Sequence, residues 1–169
     1  MEITIDTITA LVPEEHRDLV FRFSLAFSRF ECALKRAVFT KTSRHGVVEA
    51  NWDSFSSRYR SAFDPSQTPE LRAACDYFEA NPRQKQILDA GLAFTWSAPQ
   101  FRTTEPLFTW LVLMLRSVRN NLFHGGKYPI SPFEDPSRNP DLLRHSLAIL
   151  DACLHLDRDV ERFFSTDDL

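Results

Sequence analysis

Four times along the chain a short polar residue stands with proline or an acid just ahead of a helical pattern: Thr68-Pro69-Glu70, Asn81-Pro82, Thr104-Glu105-Pro106 and Asn139-Pro140-Asp141. The polar side chain can accept from a free N–H of the first turn, and proline lacks an N–H that this turn does not use. A fifth start, Pro13-Glu14-Glu15, puts two carboxylates at the positive end of a helix dipole. Only four glycines occur in 169 residues, which leaves little room for strands joined by tight turns. A chain punctuated this way is expected to fold as helices separated by proline-marked breaks.

The first helix is predicted from Pro13 to about Phe39, with Leu19, Val20, Phe23, Phe27, Phe30 and Leu34 recurring at three and four as its buried face. Asn51 is predicted to cap a short helix in "WDSFSSRYRSAF". Thr68 opens "PELRAACDYFEA", and Asn81-Pro82 opens a further helix, "PRQKQILDA", stopped at Gly91. "LAFTWSAPQFR" has no sustained period and reads as a packed loop. A helix from Thr104-Glu105-Pro106 through about Phe123 is ended by Gly125-Gly126. A proline-rich excursion, "YPISPFEDPSRNP", precedes one long last helix, "DLLRHSLAILDACLHLDRDVERFF", buried along Leu142, Leu143, Leu147, Leu150, Leu154 and Val160. The sum is an all-α bundle.

With 43% hydrophobic and 25% charged residues and fifteen phenylalanines, the composition is that of a folded globule, and the length suits one domain over 1–169. The net charge of −3 means that a polyanionic partner must be met by a local positive patch. Cys32, Cys75 and Cys153 are odd in number and lack metal-ligand spacing, so they read as small buried side chains in a reducing cytoplasm. The start "MEITIDTITALVPEEH" does not have the pattern of a signal peptide, and the longest apolar run, "LFTWLVLML", is too short to span a bilayer. A cytoplasmic protein without a membrane partner is expected.

The run "RSVRNNLFHGGKYP" is the most informative stretch. In the helix that carries it, Leu107, Leu111, Met114, Val118 and Leu122 form a core stripe at about 100° per residue. Opposite, in order around the cylinder, come Arg119, Phe123, Arg116, Asn120 and His124. Earlier in this helix Phe108, Val112 and Leu113 also point to that opposite side. A helix apolar on every face is buried on every face. Either a second copy of the protein or the rest of the same domain can supply the cover.

The arc lies at a helix C-terminus, where the dipole favours cations. A phosphate site there needs added positive charge, which Arg116, Arg119, Lys127 and a protonated His124 can provide. A histidine titrating near neutral pH can move a proton to or from a ribose hydroxyl. A guanidinium can bind phosphate through two hydrogen bonds and stabilise developing charge. Asn120, four residues before His124, can orient either group, and the set demands no metal or other cofactor. The plainer interpretation is a solvated helix end.

"RNNLFHGGK" resembles the signature of the HEPN superfamily, small all-α nucleotide-binding domains whose motif is an arginine, a polar residue and, a few positions on, a histidine: here Arg119, Asn120 and His124. The first helix, "FRFSLAFSRFECALKRAVF", is similar to the N-terminal helix of several such proteins. The resemblance implies a HEPN-like up-and-down bundle of four to five main helices with short accessory helices. It also implies a metal-independent endoribonuclease acting as a homodimer, in a toxin–antitoxin or phage-defence setting, with an antitoxin or defence-system protein as a further partner. On this likeness Arg119 contacts the scissile phosphate of RNA, His124 is general acid or base, and Asn120 positions them. Arg116, Lys127 and Asn121 bind substrate, and attack of the ribose 2′-OH leaves a 2′,3′-cyclic phosphate. The alternative is a non-catalytic HEPN-like module that binds RNA or a partner protein.

Glu31 and Lys35 have the spacing of a surface ion pair, and the functional alternative is that Glu31 braces Arg119 or His124. Trp52, Phe55 and Tyr59 beside Arg58 and Arg60 could stack on single-stranded RNA, but an amphipathic helix with snorkelling arginines is the favoured interpretation. His145 and His155, ten residues apart, have no ligand-like partner at helical spacing.

Overall fold

The computed structural model describes residues 4, 6, 10, 13–82, 85–88, 94–97, 106–123 and 140–165. Among them the chain is mostly helical, with α1 (Glu14–Arg36), α2 (Trp52–Tyr59), α3 (Pro69–Ala80), α4 (Leu107–Phe123), α5 (Pro140–Leu154) and α6 (Arg158–Ser165). Two small antiparallel hairpins complete the described elements: β1 (Thr40–Thr42) with β2 (Val48–Ala50), and β3 (Lys85–Leu88) with β4 (Phe94–Ser97). No helix among the described residues is long and apolar enough to cross a membrane.

The caps read from sequence form where they are described. Asn51 accepts from the Ser54 N–H at 3.0 Å, and Thr68 Oγ1 accepts from the Leu71 N–H at 3.1 Å. Each satisfies an N–H that its helix leaves unpaired. The expected stops at Gly91 and Gly125-Gly126, the start at Thr104-Glu105 and residues 128–139 of the proline-rich excursion lie outside the described residues.

The face of α1 is buried at Leu19, Phe23, Phe27, Phe30 and Leu34, with Val20 half-buried. α1 packs on α5 and α6, α3 on α5, and α2 on α4. Much of the phenylalanine surplus is spent in one aromatic cluster. Trp52 stacks on Phe30 (centroids 5.0 Å apart) and on Phe27 (5.1 Å), Phe55 meets Phe30 and Phe39 edge-on, and Phe63 stacks on Phe108. Such ring pairs add directional attraction to the area they bury.

Three expectations need correction. The helix predicted from Asn81-Pro82 is absent; β3 lies in that window and pairs Lys85 with Ser97 and Leu88 with Phe94. A window of about nine residues is marginal as a helix, whereas the strand-forming Phe94-Thr95-Trp96 supplies a cross-strand partner inside the expected loop. The β1–β2 hairpin was likewise not anticipated. Finally, the last helix is two: α5 ends at Leu154, and Asp157 caps α6 by accepting from the N–H groups of Asp159 (2.8 Å) and Val160 (3.0 Å).

The end of α1 aims the first hairpin. Phe39 N–H donates back to Leu34 C=O at 2.9 Å, a helix-terminating bond that requires the intervening residue to turn left-handed. That residue is Val38, at φ +64° and almost fully exposed. The turn buries Phe39 against Phe55 and sends the chain into β1; after a loop with Gly46 at φ +77° it returns in β2 to the Asn51 cap.

Candidate functional site

The early turns of α4 are largely buried: Phe108, Trp110, Leu111, Val112, Met114 and Leu115 are each within 2% of full burial, while Leu107, Thr109 and Leu113 are half-buried. Phe108 is met by Phe55 and Phe63 of this same chain. Of the two covers left open by the sequence, the chain's own elements supply this one, so the all-round apolar pattern does not require a second copy.

The last two turns of α4 emerge from this packing and carry the described part of the polar arc. Arg116, Arg119 and Asn120 line one groove of about 390 Å³. Its other walls are Phe27, Glu31 and Lys35 of α1, Lys41 of β1, Val48, Glu49 and Ala50 of β2, and Trp52 at the start of α2. Glu31, Arg116, Arg119 and Asn120 are thus brought together. Asn121 is half-buried on the same turn and does not line the groove. His124 and Lys127 lie outside the described residues.

Arg119 donates from Nη1 to Asn120 Oδ1 at 3.2 Å, and its guanidinium lies 5.5 Å from the centroid of the Phe123 ring, which is itself exposed. Both contacts orient the fork without neutralising it, and among the described residues no carboxylate lies within 4 Å. Arg116 differs: its Nη1 is 3.0 Å from Asp53 Oδ1, an ion pair from α4 to α2.

Glu31 does not use its carboxylate as the spacing suggested. Its Oε1 accepts from Trp52 Nε1 at 3.0 Å, and Trp52 stacks on both Phe27 and Phe30. Lys41 Nζ meets Glu49 across the hairpin at 3.7 Å. The groove therefore has four cationic and two acidic side chains in its lining, with Asp53 behind Arg116.

The sequence pattern does not mark Trp52, Lys41 or Glu49 as site residues. Lys41 and Glu49 sit on a hairpin that the helical reading did not contain. Trp52 was read as part of an amphipathic helix, and the favoured form of that reading holds: Trp52 and Phe55 are buried, and the Arg58 guanidinium lies over the Phe39 and Tyr59 rings. The His145 ring lies against Tyr77, tilted by 32° with centroids 4.4 Å apart, and His155 Nδ1 is 3.0 Å from Glu161 Oε1.

Comparison of the chain with protein-family models, with curated proteins and with solved structures finds no match.

Proposed function

We propose that the protein is a metal-independent endoribonuclease of HEPN type, acting on RNA as a cytoplasmic homodimer whose two copies share one cleft, in a toxin–antitoxin or phage-defence setting. The observation that carries the proposal is Arg119, oriented by Asn120 and Phe123 yet not neutralised by any described acid, at a groove lined by other cations. Such a fork is ready for a phosphodiester, whose oxygens it can bind in pairs.

On this reading the ribose 2′-OH attacks the adjacent phosphorus while a base takes its proton. The bond from phosphorus to the 5′-oxygen breaks, and an acid supplies a proton to that leaving oxygen, giving a 2′,3′-cyclic phosphate and a 5′-OH. His124 is assigned one of the two proton transfers, Arg119 the charge on the phosphoryl oxygens, and Asn120 the orientation of Arg119. Removing a preorganised donor of this kind costs roughly 10²–10³ in rate, the loss expected for Arg119→Ala.

The test is incubation of the purified protein with single-stranded or transfer RNA in EDTA. Cleavage to cyclic-phosphate ends is expected, with His124→Ala abolishing it while circular dichroism stays unchanged. An activity that EDTA removes and His124→Ala leaves intact overturns the proposal.

A second reading, a non-catalytic HEPN-like module binding RNA or a partner protein, has its own support. Arg116 and Lys41 are already paired with Asp53 and Glu49, which leaves the groove fewer free cations for the charge that develops in phosphoryl transfer. It predicts binding without cleavage under any condition.

A further inference from the structure

We infer that Lys35 is a phosphate-binding residue of the groove, working from α1 together with Arg119 from α4 to hold the backbone of a single RNA strand. The inference rests on the groove being an RNA site, and it adds a residue outside the Arg119–His124 motif.

Four cations line the groove, and two are committed. Arg116 is paired with Asp53 at 3.0 Å and Lys41 with Glu49 at 3.7 Å. Among the described residues, no carboxylate lies within 4 Å of the Lys35 ammonium or the Arg119 guanidinium. Spacing alone would give Lys35 to Glu31, one turn before it on α1. The Glu31 carboxylate instead accepts from the Trp52 indole N–H at 3.0 Å. The stacking of Trp52 on Phe27 and Phe30 fixes the indole, and the indole fixes the carboxylate. This interaction keeps Glu31 engaged and leaves Lys35 available at the groove wall.

The two available cations come from different helices and have different chemistry. Arg119 presents a planar fork suited to two oxygens of one phosphate, whereas Lys35 presents a compact, mobile charge that tolerates varied phosphate positions along a flexible strand. A strand seated on Arg119 would pass its neighbouring phosphate across the groove to Lys35. Each phosphate so neutralised releases counterions, so its loss lowers the salt dependence of binding by about 0.7 in the slope of log K against log salt for a single strand.

The experiment measures anisotropy of a labelled 2′-O-methyl oligonucleotide, which keeps the phosphates and blocks 2′-OH attack, in EDTA over about 50 to 200 mM salt. Expected is a slope smaller by about 0.7 for Lys35→Ala than for the unsubstituted protein, restored by Lys35→Arg. Arg72→Ala, which removes a charge from the exposed Arg72–Asp76 pair on α3, is expected to leave the slope unchanged. If the protein binds the strand and Lys35→Ala keeps the full slope, the inference is overturned while the RNA reading stands. If Arg72→Ala lowers the slope as much as Lys35→Ala, net charge rather than the groove is responsible and the inference is overturned. If the protein shows no salt-dependent binding, both the inference and the RNA reading fail.

Discussion

Two single residues set the geometry of the groove, and each carries a measurable consequence. Val38 holds a left-handed conformation that a β-branched side chain adopts only under strain, roughly 1–2 kcal/mol for an L-residue. Its side chain is almost fully exposed, so little packing offsets that cost. Val38→Gly is therefore expected to stabilise the protein by about 1 kcal/mol, seen as a higher midpoint in denaturant. An unchanged or lower midpoint would contradict the strain. Trp52 acts through one atom: its N–H holds Glu31, while its ring stacks on Phe27 and Phe30. Trp52→Tyr removes the indole donor and keeps an aromatic ring, so a loss of about 1–3 kcal/mol is expected from the hydrogen bond and the poorer filling together. The Glu31–Trp52 bond was not legible in the sequence. Spacing within a helix points from Glu31 to Lys35, whereas the actual partner is 21 residues away and depends on how the hairpin returns the chain.

At the scale of elements, the sequence was most readable where a local signal decides the outcome. Asn51 and Thr68 cap as expected because a short side chain reaches its own backbone in either state of the surrounding fold. The hairpins were missed because pairing between strands is non-local, and scarce glycine argued against turns that in β1–β2 needed only Gly46. The split of the last helix has a local signal that went unread, since Asp157 is a good N-cap. Its other oxygen, Oδ2, accepts from the Tyr59 hydroxyl, tying α2 to α6. α6 is held at its far end too, where Arg29 donates to Phe164 C=O from Nε (3.1 Å) and Nη2 (2.5 Å). The Tyr59–Asp157 bond makes a pH prediction. Burial pushes the Tyr59 pKa up, the bond to Asp157 adds to this, and it reaches about 12. Burial would also raise Asp157, but the Tyr59 hydroxyl, the N–H groups of Val160 and Asp159, and Arg58 outweigh it and hold the carboxyl below its ordinary value. The depressed acid contributes stability that is present above its unfolded pKa, about 4, and is lost as pH falls through the folded value. The raised phenol contributes stability that is present below about 10 and is lost as pH rises through the folded value. The stability difference between the unsubstituted protein and Tyr59→Phe should thus be flat between about pH 5 and 9 and shrink at both extremes. A difference independent of pH across the whole range would rule out the coupling.

For the whole molecule, the sequence left the cover of α4 undecided because periodicity reports which faces are buried and not what buries them. Phe55 and Phe63 from this chain settle it for Phe108, so the proposed dimer is not joined through that residue. Light scattering tests that dimer directly, with twice the 19.6 kDa chain mass as the expected result. How firmly the helices close on each other can be read from the thiols. Burial was expected of all three, but Cys32 is exposed on α1; only Cys75 on α3 and Cys153 on α5 are buried, where those two helices pack. Burial, with Glu79 and Asp76 nearby, pushes the Cys75 thiol up to about 11; burial and then the neighbouring Cys75 push Cys153 up as well. Thiols raised this far offer almost no thiolate near neutral pH, and buried ones are also shielded from reagent. One thiol is expected to react with an aromatic disulfide at once in the native protein, and the other two only as α3 and α5 separate. Their slow phase should quicken with denaturant along the same transition as the helical circular dichroism signal, because the two thiols lie in the core that holds the bundle closed. Two fast thiols in native buffer would mean that α3 opens from α5 independently of the rest.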